Sequence, residues 1–306
     1  MKYLLKDKQK RTKASLSRLT ALGLSFSMAM NLSFFFFFSA SSHSRIGDNT
    51  YQLKDGTPIS GIFARGIDVS HWQGPIDWKQ VSQNDISFVM LGTRYNGQVD
   101  PRFHINAAEA AMAGIQLGIY IYSYATDVAM AEAEADFVLN LIKDYPVSYP
   151  VAFDVESSVQ STLSPTELAD IINAFCRKIE NAGYHAILYA NDYWLANKID
   201  MSQVDYDVWV ARYETPHAFE NPVMWQATST GSVDGINGNV DIDFQFRDFS
   251  DVIAPNLWRT IGGNTYYYQN HQMQKNAWIH DGTGWFFMNE DGLAASGWFT
   301  QNDRTY

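Results

Sequence analysis

The sequence holds a single cysteine, Cys176, in 306 residues. An internal disulfide framework and any multi-cysteine metal site are thereby excluded. Histidine is sparse too: His71 and His104 stand in no pair at ligand spacing, so no metal and no other cofactor is expected. Basic residues are in deficit, 22 lysines and arginines against 33 acids, a net charge of −11. Seven of those bases lie in the first 18 residues beside one acid, Asp7, which leaves 15 bases and 32 acids, a net −17, for all that follows. A surface this acidic excludes nucleic acid as the partner, because phosphate backbones are held by clustered Lys and Arg. No Ser-His-Asp order, Gly-rich phosphate loop or dinucleotide fingerprint occurs. Beyond residue 40 no run is apolar enough to cross a bilayer.

One long apolar run does exist, at 19–40, uncharged and preceded by the basic head at 1–18. Basic, apolar, then small residues (Ser39, Ala40, Ser41, Ser42) is the order of a secretory signal. Residues 1–42 are expected to be a signal peptide or, the run being long, a membrane anchor with its basic side inward. Either way the working part lies outside the cytoplasm. Residues 43–61 read as a polar linker.

From 62 to 250, short apolar runs alternate with amphipathic segments, the pattern of strands joined by helices. Strands are predicted at 66–70, 86–92, 117–123, 150–156, 186–190, 207–211, 223–226 and 239–244. Helices are predicted at 101–114, 127–144 and 164–182. The last opens on Ser164-Pro165-Thr166-Glu167, a capping box with Pro at the first helical position, and closes at Gly183. Eight strands with helices between the early ones predict an irregular α/β barrel related to the (β/α)₈ type. The short spacing after 205 leaves the last strands to be joined by loops.

In such barrels chemistry gathers at the strand ends, and acids stand there repeatedly. Asp154 and Glu156, in FDVES, are two apart on a strand and point to one face, with Val155 on the other. Adjacent carboxylates with few bases nearby repel, which holds one of them protonated. Glycosidic cleavage needs that pair: one acid to protonate the leaving oxygen and one carboxylate to stabilise the cationic centre. Asp68, in GIDVSHWQG, and Asp241, in GNVDIDF, enter from the first and last strands, which become neighbours when a barrel closes. Tyrosines and tryptophans crowd the strand ends as well, and their faces suit the C–H faces of sugars.

GIDVSHWQG at 66–74, DPRF…AAMAGIQLGIYIYSYA at 100–125, PVAFDVES at 150–157 and MWQATSTGSVDGINGNVDIDF at 224–244 together resemble the family 25 glycoside hydrolases, bacterial and phage lysozymes that act as N-acetylmuramidases. The resemblance implies a barrel of eight strands and about five helices over 62–250. It further implies peptidoglycan glycan strands as the partner, and hydrolysis of the β-1,4 bond between N-acetylmuramic acid and N-acetylglucosamine. On it, Glu156 is the general acid, Asp154 its partner, and Asp68 and Asp241 position and stabilise. Arg94, Tyr124, Tyr189 and Trp225 are the implied substrate-binding residues. Retaining, substrate-assisted and inverting routes all stay open. The alternatives are a non-catalytic wall-binding protein on the same scaffold and a glycosidase of another class, such as a chitinase-like enzyme, whose strand motif usually carries more acids than DVE. The protein is then secreted or wall-associated, and a monomer is expected.

Trp258, Trp278 and Trp298 repeat at intervals of 20, in the range of small stacked repeats. Residues 256–306 thus read as about two and a half units of a β-hairpin, solenoid-like module, cut inside the third copy at Tyr306. They resemble the cell-wall-binding repeats of choline-binding and glucan-binding proteins. Trp278, Trp285 and Trp298 are the candidates for the wall ligand, either choline-bearing or another wall polymer.

Overall fold

A computed structural model describes residues 43–296, 300–301 and 304–305. The signal or anchor expected over 1–42, and Trp298 and Tyr306 of the third repeat, lie outside the described residues.

Eight strands close into a barrel: β1 (Ala64–Val69), β2 (Phe88–Gly92), β3 (Gln116–Tyr122), β4 (Val147–Asp154), β5 (Ala186–Asn191), β6 (Asp207–Ala211), β7 (Met224–Gly231) and β8 (Val240–Gln245). Neighbours in sequence are neighbours in the barrel, and β1 to β7 run parallel. The eighth strand is reversed, antiparallel to both β7 and β1. An antiparallel return needs no crossover helix, so the short spacing late in the chain suffices. Among the described residues there are five α-helices: α1 (Trp78–Val81), α2 (Phe103–Met112), α3 (Val128–Ile142), α4 (Pro165–Asn181) and α5 (Asp192–Asn197). The architecture is the expected irregular α/β barrel.

Helix α4 forms as its sequence dictates. The Ser164 hydroxyl accepts from the Glu167 amide while the Glu167 carboxylate accepts from the Ser164 amide at 2.8 Å, with Pro165 at the first turn. Its stripe of Leu168, Ile171, Ile172, Phe175 and Ile179 is buried, and Phe175 stacks on Phe153 of β4 at 4.2 Å. Cys176 is buried on the same helix, and burial pushes its thiol up, which suits packing rather than nucleophilic chemistry.

Strand alternation separates two cores. Outward residues pack under the helices, whereas inward residues fill the barrel with Phe88, Met90, Tyr149, Ala152, Ile187, Trp209 and Met224. Glycines on the inner face make room for these. A Cβ on Gly66 would come within 2.4 Å of the Phe88 ring, and one on Gly92 within 2.8 Å of the Tyr120 hydroxyl. The lower barrel is therefore filled, and only its upper end is open to chemistry.

Residues 43–61, expected as a linker, instead form a three-stranded antiparallel sheet (Arg45–Gly47, Thr50–Gln52, Pro58–Ser60). Buried Tyr51 and Leu53 join the outer core, and Asp85 accepts from both the Arg45 guanidinium and the Tyr51 hydroxyl. The segment's buried apolar anchors, Tyr51 and Leu53, stand among polar residues, which hides the strand pattern in the sequence.

The C-terminal hairpins form at the expected period: β9 (Leu257–Ile261) with β10 (Asn264–Gln269) and β11 (Gln272–Met273), then β12 (Ala277–His280) with β13 (Trp285–Met288). A further pair joins Thr300–Gln301 to Arg304–Thr305. The first hairpin turns Arg259, Tyr266 and Tyr268 onto the barrel. The Arg259 guanidinium lies between the rings of Tyr184 and Tyr268 at 3.9 and 4.2 Å and donates to the Gly183 carbonyl. The Tyr268 hydroxyl donates to the Lys143 carbonyl at 2.6 Å. This unit is thus part of the barrel's apolar core. The second hairpin instead shows Trp285 at 68% exposure. We expect Tyr268→Ala to lower the barrel's unfolding free energy by about 3 kcal/mol, against less than about 0.5 kcal/mol for Trp285→Ala. Urea titrations followed by tryptophan fluorescence check both, and equal costs would refute the division.

Candidate active site

The open end of the barrel is a cleft of about 380 Å³. Asp68, Asp154, Glu156 and Asp241 all line it, with Tyr120, Tyr122, Tyr189, Trp209, Tyr213 and Gln226 between them. The reversed β8 explains how two acids of the last strand reach this end. Asp241 pairs with Asp68 across β8 and β1, and Asp243 pairs with Gly66 one step deeper. Had β8 run parallel, the same residues would face the wrong end.

Asp68 is fixed by its neighbours. The Gln226 side-chain amide donates to it at 2.6 Å, and the Gln226 oxygen accepts from the hydroxyls of Tyr189 at 2.7 Å and Tyr213 at 3.0 Å. Burial, then the nearby charges of Asp241 and Asp243, lift the Asp68 carboxyl well above the carboxylate range. Asp243 is raised by burial and by Asp241, and accepts from the Trp209 indole at 3.0 Å. Asp241, nearer solvent, is raised by burial to about 6.

On the opposite wall, Asp154 ends β4 and Glu156 follows it on the same face. Val155 is buried behind them. Burial and then the Glu156 charge push Asp154 well up. Glu156 is raised by burial, an effect opposed by the Asn191 side-chain amide at 3.5 Å. Glu156 and Tyr213 also line a second basin of about 260 Å³ with Asn191, Asp192, Tyr193, Ala211 and Arg212. The groove thus continues on both sides of Glu156.

The structure brings most of the predicted binding residues to the cleft. Tyr124 is half exposed at the rim, Tyr189 is buried in the wall, and Arg94 lines the cleft but is held at 2.7 Å by Glu134. Trp225 is a correction. Gln226 points inward to Asp68, so alternation turns Trp225 outward, where it packs on Phe244 and His217 and donates to the Arg212 carbonyl. Trp209 supplies the indole that faces inward. Its partners in the cleft are Tyr120, Tyr213 and Gln226, with Asp243 deeper; Tyr120, Gln226 and Asp243 lie within the quoted motifs, and the period-2 register with Asp68 is the signal that gives them an inward face. At the outer rim His71, whose ring and backbone nitrogens both contact Asp100, stacks between Trp72 and Tyr95. Of the wall-ligand candidates, Trp278 and Trp285 stand exposed on one face of the second hairpin with His280 and Phe287.

The sequence profile of the glycosyl hydrolases family 25 matches residues 67–236. Lysozyme M1 of Streptomyces globisporus is 28% identical over 202 residues, 60% of this chain and 67% of its own length. The autolytic lysozyme of Clostridium acetobutylicum is 25% identical, the match covering 62% of this chain and 56% of that protein. Among solved structures, the modular autolysin LytC of Streptococcus pneumoniae superposes with a TM-score of 0.59 at 28% identity, over 67% of this chain and 52% of LytC. It has also been solved in complex with a synthetic peptidoglycan ligand. The chain therefore spans about half the length of the pneumococcal relative.

The raised carboxyls set a pH dependence of stability. A group whose folded value lies above its ordinary one stabilises fully below the ordinary value and loses that contribution as pH rises through the folded value. For Asp241 this window runs from 3.8 to about 6. We expect the melting temperature of the wild type relative to Asp241→Asn to fall between pH 4 and pH 7. A constant difference across that range would refute the assignment.

Proposed function

The chain belongs to glycosyl hydrolase family 25, and we propose that it hydrolyses peptidoglycan by cleaving the β-1,4 bond between N-acetylmuramic acid and N-acetylglucosamine, with Glu156 as general acid. The observation that carries this reading is the position of Glu156, shared between two basins of one groove and backed by Asp154, with Asp68 and Asp241 on the facing wall. A glycan strand lying along such a groove has its scissile oxygen beside Glu156 and a sugar on either side.

Burial keeps the proton on Glu156 to higher pH than an exposed glutamate would hold it, which suits donation to the leaving oxygen. As the bond breaks, positive charge develops on the sugar. That charge favours ionisation of the carboxyls beside it, and Asp154 and Asp241, which line the same cleft, stabilise it. Tyrosine and tryptophan faces hold the rings of the substrate. Likeness to lysozymes and to a peptidoglycan-bound autolysin supports this substrate.

The second hairpin supports attachment to the wall. Trp278, His280, Trp285 and Phe287 share one face, a form suited to a sugar polymer or a quaternary ammonium group, while Ile279 and Met288 are buried on the other. The basic and apolar order of residues 1–40 supports secretion or anchoring at the membrane, where wall polymer is within reach.

We expect Glu156→Gln to lower kcat by about 10²–10⁴-fold with the fold intact. Mass spectrometry of digested peptidoglycan checks this: wild type alone should create new reducing ends, and they should be muramic acid. No ends from either protein would favour a binding protein, and glucosamine ends would mean another bond is cut. Because Glu156 acts protonated, activity should fall as pH rises through its elevated value. Trp285→Ala should weaken sedimentation with purified walls and leave turnover of soluble glycan strands unchanged; unaltered sedimentation would remove the ligand role from this face.

A further inference from the structure

Among the described residues, one buried acid lies outside the cleft and outside the quoted motifs. Glu134, on the second turn of α3, is 6% exposed. Its carboxylate accepts from the Arg94 guanidinium at 2.7 Å, from the Ser123 hydroxyl at 2.8 Å and from the Tyr124 amide at 3.0 Å. Three donors from the ends of two strands thus converge on one side chain.

The connections run further. The Ser123 oxygen accepts from the side-chain amide of Gln160 at 3.0 Å and from the Ala125 amide at 3.1 Å. Gln160, fully buried, also donates to the Ala125 carbonyl and accepts from the Ser157 amide at 3.3 Å. Ser157 follows Glu156 directly. Arg94 closes the circle: it donates to the Tyr122 carbonyl at 2.6 Å and lies over the Tyr124 ring at 4.9 Å.

We propose that Glu134 is a positioning residue of the active site, holding Glu156 through Ser123, Gln160 and Ser157 while keeping the Arg94 guanidinium away from the acids of the cleft. The proposal rests on the reading of Glu156 as general acid. Two physical effects follow. A peptide segment fixed by buried hydrogen bonds keeps its side chain within a fraction of an ångström of the geometry that proton transfer needs. And Arg94, which lines the same cleft as Asp154 and Glu156, is neutralised where it stands, so it does not draw the proton off the acid. Besides Arg94, the charged groups lining the basins around Glu156 are Asp68, Asp154, Asp192, Asp241 and Arg212, with the hydroxyls of Tyr120, Tyr122, Tyr124, Tyr189, Tyr193 and Tyr213; of these residues Tyr124 alone bonds Glu134, through its backbone amide.

Glu134→Gln tests it, because the amide keeps the shape and offers one acceptor oxygen to three donors. Ser123→Ala cuts the same path without altering a charge, and decides the matter should Glu134→Gln fail to fold. Asp136→Asn serves as control: Asp136 lies on the same helix, exposed, paired with Lys178. The full chain is assayed on purified peptidoglycan as a function of pH, and the Glu156 carboxyl is titrated by carbon-13 NMR in each protein. We expect kcat of Glu134→Gln to fall about 10- to 100-fold, with KM within about two-fold. The alkaline limb of the rate profile and the NMR titration of Glu156 should both move to lower pH. Ser123→Ala should shift in the same direction and Asp136→Asn not at all. Unchanged kcat together with an unchanged Glu156 titration in the relay variants overturns the proposal, and so does an equal loss in Asp136→Asn. If the wild type itself releases no reducing ends, the cleavage reading fails, and the titration, which needs no turnover, still decides the relay.

Discussion

The interaction on which the rest depends is the crowding of five carboxyl groups, Asp68, Asp154, Glu156, Asp241 and Asp243, in one half-dry barrel mouth. In water they would all be ionised at neutral pH and would repel. Here burial is the first cause of every shift, and all five move upward. The wall around them offers neutral donors in place of cations: the Gln226 amide, the Trp209 indole and the Asn191 amide. A neutral donor steadies a carboxyl without removing its proton as fully as a guanidinium would. The one arginine lining the main basin, Arg94, is tied to Glu134. The acidity of the sequence is thus organised locally, with cations kept where they hold structure.

That crowding is possible because of barrel geometry. Alternation sends every second side chain inward, and the register of β8 against β1 sets Asp241 beside Asp68 and Asp243 beside Gly66, where no side chain competes for space. A one-residue slip would send both aspartates outward under the helices. The register is held from below, where the Tyr149 hydroxyl donates to Gln245 at 2.7 Å and the Phe88 ring stacks on Tyr149 at 4.7 Å over Gly66. The filled lower barrel therefore does more than contribute stability: it fixes which residues of the last strand meet solvent and substrate.

The same period explains what was legible in the sequence. The DVE triplet declares its face unambiguously, since two acids at spacing two flank a valine. The capping box of α4 and the eight apolar runs are equally direct, because local chemistry settles them. MWQ at 224–226 is different: tryptophan and glutamine are both plausible inward residues, and only the need of Asp68 for a donor chooses Gln226 over Trp225. That need is a contact across 158 residues, which no local pattern carries. The sheet at 45–60 and the Glu134 relay were hidden for the same reason, their partners Asp85, Arg94, Ser123 and Gln160 being distant in the chain or unremarkable in type.

The tail gives a final instance. Its period of 20 was readable from tryptophans alone, yet the period does not distinguish a unit that binds a ligand from one that binds its own barrel. In the first hairpin the residues facing the barrel are Arg259, Tyr266 and Tyr268, at alternate positions, and their partners are a tyrosine ring and two helix-end carbonyls. An arginine between two rings is desolvated without an acid beside it, an arrangement that depends on both rings being held rigidly. The second hairpin keeps the same strand pattern and leaves Trp285 68% exposed on its aromatic face. One repeat therefore spends its aromatic face on fixing the module to the catalytic barrel, which gives the exposed face of the next a defined direction relative to the cleft. On the proposed reading, in which this face holds wall polymer and the groove its glycan, that fixed direction raises the effective concentration of strand at the acid without any further contact.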